Sequence, residues 1–438
     1  MIKRLRLPRV FSGWWMVLGG GTIGLWLTGY GVYGISALFK PIASELGFSR
    51  AATSIAASIT RFEGGFEGPL AGWATDRFGP KWVIFFGVAL AGISLVLMYF
   101  INSLWAYYLV WGVLVGTGHN ITTTLPLDTA ITNWFVKKRG IALGIKMVLN
   151  GLSGVLVLPL LAWLIVTQGW RVACLIGGVV LLVFGLPLTW FSLRSRRPEY
   201  YGLLPDGAAT EKTVDTSQTI DRGIKYAAEV AELEFTLRQA MRTPTFWLMI
   251  LANALHGMVG PAINIHSIPF LTDIGIGALQ AASILSLMVL VGLPLRLVGG
   301  FLSDRVKKQY LRMLVGAAYL LQAIGFATFL FSQTIPMIYV WFVVYGIGNG
   351  LAQGLNEPMR ARYFGRKAFG SIRGVSVLFM MPVGVLAPVY VGWAYDTSGS
   401  YIGAFTLVAV LVAISAVVMF FAVPPRPPAR ITDIRDII

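Results

Sequence analysis

VGLPLRLVGGFLSDR, residues 291–305, reads as an apolar helix that carries an arginine, Arg296, in its middle and ends in a Gly-x-x-x-Asp-Arg pattern, Gly300 to Arg305. Nearly the same ending occurs about 230 residues earlier, where Gly72 opens GWATDRFGPK with Asp76 and Arg77 in place. Two further echoes keep the same order and spacing. GTGHN from Gly116 returns as GIGNG from Gly346, and NWFVKKRGIALG from Asn133 returns as RYFGRKAFGSIRG from Arg362. Three ordered matches describe a chain built from two copies of one plan.

What is copied is a set of membrane helices. The chain has 438 residues, of which 56% are hydrophobic and 12% charged. Apolar runs of about 20 residues, enough to cross a roughly 30 Å hydrocarbon core, recur about twelve times. They begin near Trp14, Ala51, Trp82, Leu104, Ile141 and Val172, then near Thr245, Ala278, Leu314, Met337, Gly374 and Tyr401. The alternating polarity of a membrane β-barrel is absent. The expected fold is therefore an all-α membrane protein of twelve transmembrane helices in two pseudo-symmetric six-helix halves.

A formal charge of +16 would suggest nucleic acid on a soluble protein, but the basic residues crowd alternate loops: Lys3 to Arg9, Arg77 and Lys81, Lys137 to Arg139, Arg194 to Arg197, Arg305 to Arg312, Arg360 to Lys367 and Arg426 to Arg435. By the positive-inside rule those loops and both termini face the cytoplasm, so no nucleic-acid partner is expected and the lipid bilayer is. The basic start followed by an apolar run is too long and lacks the cleavage site of a signal peptide, so it reads as the first span of a multi-pass protein. A bacterial inner membrane is the expected location. Cys174 is the single cysteine, which excludes an intramolecular disulfide.

The halves are expected at 1–193 and 243–424, joined by a cytoplasmic linker at 194–242 and followed by a cytoplasmic tail at 425–438. AELEFTLRQAMRTPTFW, in the later part of the linker, has helical amphipathic spacing and is expected to lie along the membrane surface.

The paired Gly-x-x-x-Asp-Arg loops, between spans two and three and between spans eight and nine, resemble the signature of the major facilitator superfamily. GWW and GYGVYG in the first span, WFVKKRGIALG entering the fifth, RRPEYYGLLPDG in the linker and HSIPFLTDIG ending the seventh resemble its monocarboxylate and oxalate/formate branch. In such loops the glycines, Gly72 and Gly300, let helices approach closely, and Asp76 and Asp304 can cap a neighbouring helix. The arginines can pair with acids, and the expected cytoplasmic clasps are Arg77 with Asp128 and Arg305 with Glu357. The alternative is that both acids are solvated charges at helix ends.

Arg296 lies eight residues before Asp304, about 12 Å along the helix. At that depth a bare arginine costs at least about 2.5 kcal/mol. Its neighbours one turn away are Gly292 and Gly300, so no acid of the same helix compensates it. A planar fork of donors without a resident partner suits a carboxylate. Arg296 is read as the substrate anchor, the alternative being a structural pair with an acid from another span. The resemblance implies the same role, since that branch places a carboxylate-binding arginine in the eighth span. It also implies an Asp one turn earlier and a Lys in the first span for proton handling, where this chain has Gly292 and Tyr33. The deep lysine that oxalate carriers hold in the eleventh span has no counterpart in VSVLFMMPVGVLAPVYVGW, which favours a substrate with one carboxylate.

Other polar residues interrupt the apolar runs. Lys146 is a candidate second cation of the anion site, or a snorkelling or acid-paired lysine. Glu63 and Glu67 share a face of the second span near Arg61 and are either structural ion-pair partners or proton-coupling carboxylates. His119, Asn120 and His256, with Asn349 at the repeat position of His119, are candidates for orienting the substrate, as are Tyr33 and Tyr30. For histidines the rival reading is an interhelical hydrogen-bonder. His266 and Asn264 lie in the seventh span.

Metal-ligand spacing, catalytic triads and phosphate loops are absent, and GGGTIG near Gly19 follows no strand. No cofactor and no enzymatic chemistry are expected. The expected function is secondary transport of a small organic monocarboxylate, by proton symport or anion exchange, in a monomer. The rivals are an efflux pump for amphiphilic drugs and a sensing receptor that binds without transporting.

Overall fold

The computed structural model describes residues 11–48, 50–123, 125–208, 220, 222, 234–260, 263, 267, 270, 271, 274–276, 278–331 and 334–426. Within them the regular structure is helical throughout, and twelve spans in two halves make up the architecture. The first span runs through Ser12–Thr28, Gly29–Tyr33 and Gly34–Leu46 without a break. Arg50–Phe78 is the second and Pro80–Leu97 the third; the fourth begins at Leu104–Tyr107 and ends with Leu125–Trp134. The fifth and sixth form one helical run, Arg139–Val180, bent where Gly169 adopts φ 82°. Only glycine takes that conformation without strain, so the corner between the two spans falls there.

In the second half, Pro244–Gly257 starts the seventh span, and Ala278–Arg305, Leu311–Phe331, Ile335–Phe364, Phe369–Ser398 and Ile402–Phe420 are the eighth to twelfth. Seven helical stretches among the described residues are long and apolar enough to cross a membrane, one of them the double run through spans five and six. His266 and Asn264 lie outside the described residues, as do linker residues 209–219, 221 and 223–233 and the end of the tail.

Each half buries its own core. One cluster draws its buried residues from Met16 to Leu193 around Trp111 and Trp170, the other from Phe235 to Ala422 around Trp341 and Phe405. Between the cores the halves meet along two crossed pairs, spans two with eleven and five with eight. Glycines allow that approach at the end where the basic loops lie. A Cβ on Gly300 would stand 2.2 Å from the carbonyl oxygen of Gly140, and one on Gly72 would stand 2.4 Å from that of Gly370. Neither backbone can give way.

The linker takes a different form from the surface helix expected of it. Residues 234–236 are extended and Leu237–Met241 is a single turn capped by Thr236. Phe235 is buried and its N–H donates to the Phe364 carbonyl at 3.0 Å. The described part is therefore pinned to the end of the tenth span. Residues 198–207, carrying the PEYYGLLPDG motif, fold into two short 3-10 turns, and Asp206 accepts from the N–H groups of Val136, Lys137 and Lys138 at 2.8–3.1 Å, capping the fifth span.

Candidate functional site

The two Gly-x-x-x-Asp-Arg loops act across the halves. Asp76 accepts from the N–H of Gly370 at 3.2 Å and of Ser371 at 2.8 Å, at the start of the eleventh span. Asp304 accepts from Gly140 at 2.6 Å and Ile141 at 2.9 Å, at the start of the fifth. Each carboxylate thus satisfies orphan donors of a helix in the opposite half and sits at its positive dipole end.

The arginines of these loops do not make the expected clasps. Arg77 lies over the rings of Trp73 and Phe78, and Arg305 over Phe301 at 3.9 Å. Asp128 instead binds Lys146 at 2.9 Å and Arg373 at 3.3 Å, while Glu357 binds Arg360 at 2.7 Å and also Arg373. The physical reason is depth. Asp128 is fully buried and Glu357 is 8% exposed, so their partners are the buried cations beside them, not exposed arginines at the surface. The same pairing corrects Lys146, which is 1% exposed and committed to Asp128, and so supplies no free cation to an anion site.

Just beyond this cluster lies a cavity of about 320 Å³, with Glu67, His119, Asn120 and Arg373 among its lining. Asn120 donates to the Glu67 carboxylate at 3.3 Å and Thr117 donates to Glu63 at 2.7 Å. The other oxygen of Glu63 is buried with no hydrogen-bond partner. Neither glutamate has a cationic partner among the described residues, and the side chain of Arg61 lies outside them. His119 packs on Gly31 of the first span, whose absent side chain leaves room for the ring.

Arg296 lies outside the lining of that cavity. It reaches across to the fifth span, where Nη1 donates to the Met147 carbonyl at 2.9 Å. A Cβ on Gly151 would stand 2.6 Å from the same nitrogen, so the bare backbone makes the space for the guanidinium. One turn on, Gly154 faces the ring of Tyr33, which is close enough to Arg296 to interact with it electrostatically. No carboxylate pairs with Arg296 among the described residues, and its Nε is buried without an acceptor. The guanidinium therefore has donors to spare beside a tyrosine, at the seam between the halves.

His256 sits apart from both places. Its ring is stacked on Tyr319 at 4.1 Å and its Nε2 lies 3.1 Å from Gln322 Oε1. The Tyr319 hydroxyl in turn donates to Asn253 Oδ1 at 2.9 Å and accepts from Asn356 Nδ2 at 2.9 Å. This is the interhelical hydrogen-bonding arrangement of the rival reading. Asn349 is half-buried in the tenth span. Tyr33 and Arg296 are thus brought together, Glu63, Glu67, His119 and Asn120 form a second group, and His256 belongs to neither.

Arg373 is the residue that sequence reasoning missed. It closes the echoed motif RYFGRKAFGSIRG, but reading the eleventh span from Gly374 put it outside the membrane. The helix begins at Phe369, and Arg373 is one turn inside it. Arg360 and Gly151 were missed as well, since nothing in their local sequence distinguishes them.

Comparison with known proteins agrees with this architecture. The profile of the Major Facilitator Superfamily matches residues 21–388. Monocarboxylate transporter 12 of Rattus norvegicus is 25% identical over 370 residues, covering 81% of this chain and 74% of that one. The oxalate:formate antiporter of Oxalobacter formigenes is 25% identical over 267 residues, covering 61% and 58%. Among solved structures, the proton:xylose symporter XylE bound to 6-bromo-6-deoxy-D-glucose shares the fold with a TM-score of 0.69 at 14% identity, over 93% of this chain and 95% of that one. A profile that runs from the first span into the eleventh, on a duplicated twelve-span bundle, makes this chain a member of the Major Facilitator Superfamily, a multi-pass membrane transporter and not an enzyme.

Proposed function

We propose that this transporter carries a small organic monocarboxylate by alternating access, the halves rocking about the seam where Arg296 lies. The observation that carries the reading is Arg296 itself. A guanidinium held between spans five and eight with no carboxylate beside it among the described residues is suited to an anion from solution. Tyr33 is placed to contribute a hydroxyl to the same anion. The similarity to a monocarboxylate transporter and an oxalate:formate antiporter supports this substrate class.

The basic loops are assigned to the cytoplasm, with both termini, and the glycine contacts and helix caps that join the halves at that end make the state seen here closed inward. Coupling is assigned to Glu63 and Glu67. Two carboxylates one turn apart, held by neutral Thr117 and Asn120 with no cationic partner among the described residues, are arranged to share a proton. That favours proton symport over exchange.

Uptake of a panel of labelled monocarboxylates into proteoliposomes, with and without a pH gradient, tests the assignment. Uptake driven by an acidic exterior is expected for at least one acid. Arg296→Ala should abolish it while the protein stays folded; undiminished uptake by that variant would refute the anchor. Counterflow of labelled substrate separates a transporter of this acid from a sensor, which would bind and show none.

A further inference from the structure

We propose that a groove on the outer face of spans two and three binds an anionic phospholipid, one acyl chain lying in the groove and the headgroup on Arg77, Lys81 and Arg194. Ala74, Phe78, Trp82, Val83, Phe86 and Ile121 line the groove, and all six are apolar. Phe78, Trp82 and Phe86 are 55%, 41% and 65% exposed, so the lining faces the bilayer. Its volume of about 640 Å³ lies within the range of roughly 300–1,000 Å³ typical of small-molecule sites. The start of the third span builds the charged end. Gly79 adopts φ 87° and lies against Ser195, whose carbonyl oxygen would stand 2.3 Å from a Cβ there. That approach leaves Arg194 close enough to Lys81 to interact with it electrostatically. Lys81 lies over the Trp190 ring at 4.1 Å, Trp190 meets the Trp82 ring edge-on at 5.7 Å, and Arg77 lies over Phe78 at 5.9 Å.

No acid offsets these cations. Among the described residues none of the three has a carboxylate partner, and Asp76, beside Arg77 in the chain, gives its oxygens to Gly370 and Ser371 of the eleventh span. Like charges held together repel, and an anion among them relieves the repulsion. Trp82 and Trp190 stand where apolar surface gives way to charge, the level at which such rings mark lipid headgroups. The basic loops assigned to the cytoplasm put this level in the leaflet that carries anionic lipid. A soluble anion would use the cations alone, whereas an anionic lipid also fills the apolar groove. Ile121 lines the cavity of Glu67 and His119 as well, so a chain in the groove touches a side chain that walls that cavity. The lipid site stands whichever acid is carried.

The test uses the full chain in phosphatidylcholine vesicles doped with a low mole fraction of lipid brominated on the acyl chain, since bromine quenches tryptophan on contact. The share of Trp82 is the difference between a protein and its Trp82→Phe variant. Brominated phosphatidylglycerol is expected to quench Trp82 severalfold more than brominated phosphatidylcholine at the same fraction, and added salt to narrow the gap. Arg77→Gln/Lys81→Gln/Arg194→Gln should bring the two lipids level. The control Arg305→Gln/Lys307→Gln/Lys308→Gln removes as much charge from the basic end of the other half and should leave the preference intact. All six positions are exposed or half-buried, so folding is expected to survive. Equal quenching by the two lipids in the unsubstituted protein would overturn the site. Equal loss of preference in both triple variants would overturn it too, by showing a general attraction to the basic face. If soluble glycerol phosphate abolishes the preference, the cations hold a free anion and the lipid assignment fails.

Discussion

Arg296 and Arg373 are two arginines at the seam between the halves, one in the eighth span and one in the eleventh, and they are treated oppositely by their surroundings. Arg373 lies between two carboxylates, Asp128 and Glu357, in a cluster where every charge has a counter-charge. Arg296 rests on a carbonyl of the fifth span beside Tyr33. The chain places acids beside one guanidinium and glycines beside the other. Neutralising a buried arginine with protein carboxylates makes a structural or gating element. Leaving it without one suits the anion site proposed for Arg296, where a bound ligand would offset the cost in intrinsic stability.

The largest expected effect sharpens this contrast on stability. Glu357→Gln removes an acid shared by two arginines, and breaking a buried pair costs about 3–5 kcal/mol. Thermal unfolding in detergent should show a lowered midpoint for Glu357→Gln and an unlowered one for Arg296→Ala. Equal losses in the two variants would erase the distinction. Next in size is Gly151→Leu, which fills the space over which the guanidinium lies. Overpacking of this kind costs about 1–3 kcal/mol, and uptake should fall roughly tenfold as Arg296 is displaced, whereas Gly154→Ala, 3.4 Å from the Tyr33 ring, should be milder. Uptake unaffected by Gly151→Leu would mean that the position of Arg296 on the fifth span is immaterial.

The smallest effects are expected at the loop arginines. Arg77 and Arg305 are exposed and lie over aromatic rings, where a cation contributes about 0.5–1 kcal/mol. Alanine at either should leave the distance between the halves unchanged. A longer distance between spin labels on the two halves in either variant would restore them as clasps.

Most of the bundle was legible in the chain because the bilayer demands it: each apolar run near 20 residues has no alternative to a helix, and the starts expected at Leu104 and Thr245 fall within one residue of helix starts. The repeats located the glycines and aspartates at the seam, since a copied loop implies a copied contact. Pairing was harder to read. Asp128 and Glu357 were assigned to arginines nearby in the repeat plan, but ion pairs form at matching depth, and depth depends on where a helix starts. Placing the start of the eleventh span five residues late hid Arg373, and with it the true partner of both acids. For Arg296, the absence of an acid one turn away on its own helix said nothing of the other spans. That information exists only in the packed structure.

A carboxylate that Arg296 receives from solution should stabilise the folded protein against heat, and this can be read without transport. Purified protein is heated with rising concentrations of each monocarboxylate in the transport panel, beside Arg296→Ala. A ligand at about 100 times its dissociation constant adds about 2.7 kcal/mol to the folded state. A concentration-dependent rise in midpoint is expected for at least one acid in the unsubstituted protein and none in Arg296→Ala. An equal rise in both, or none with any acid that the vesicles take up, would contradict it.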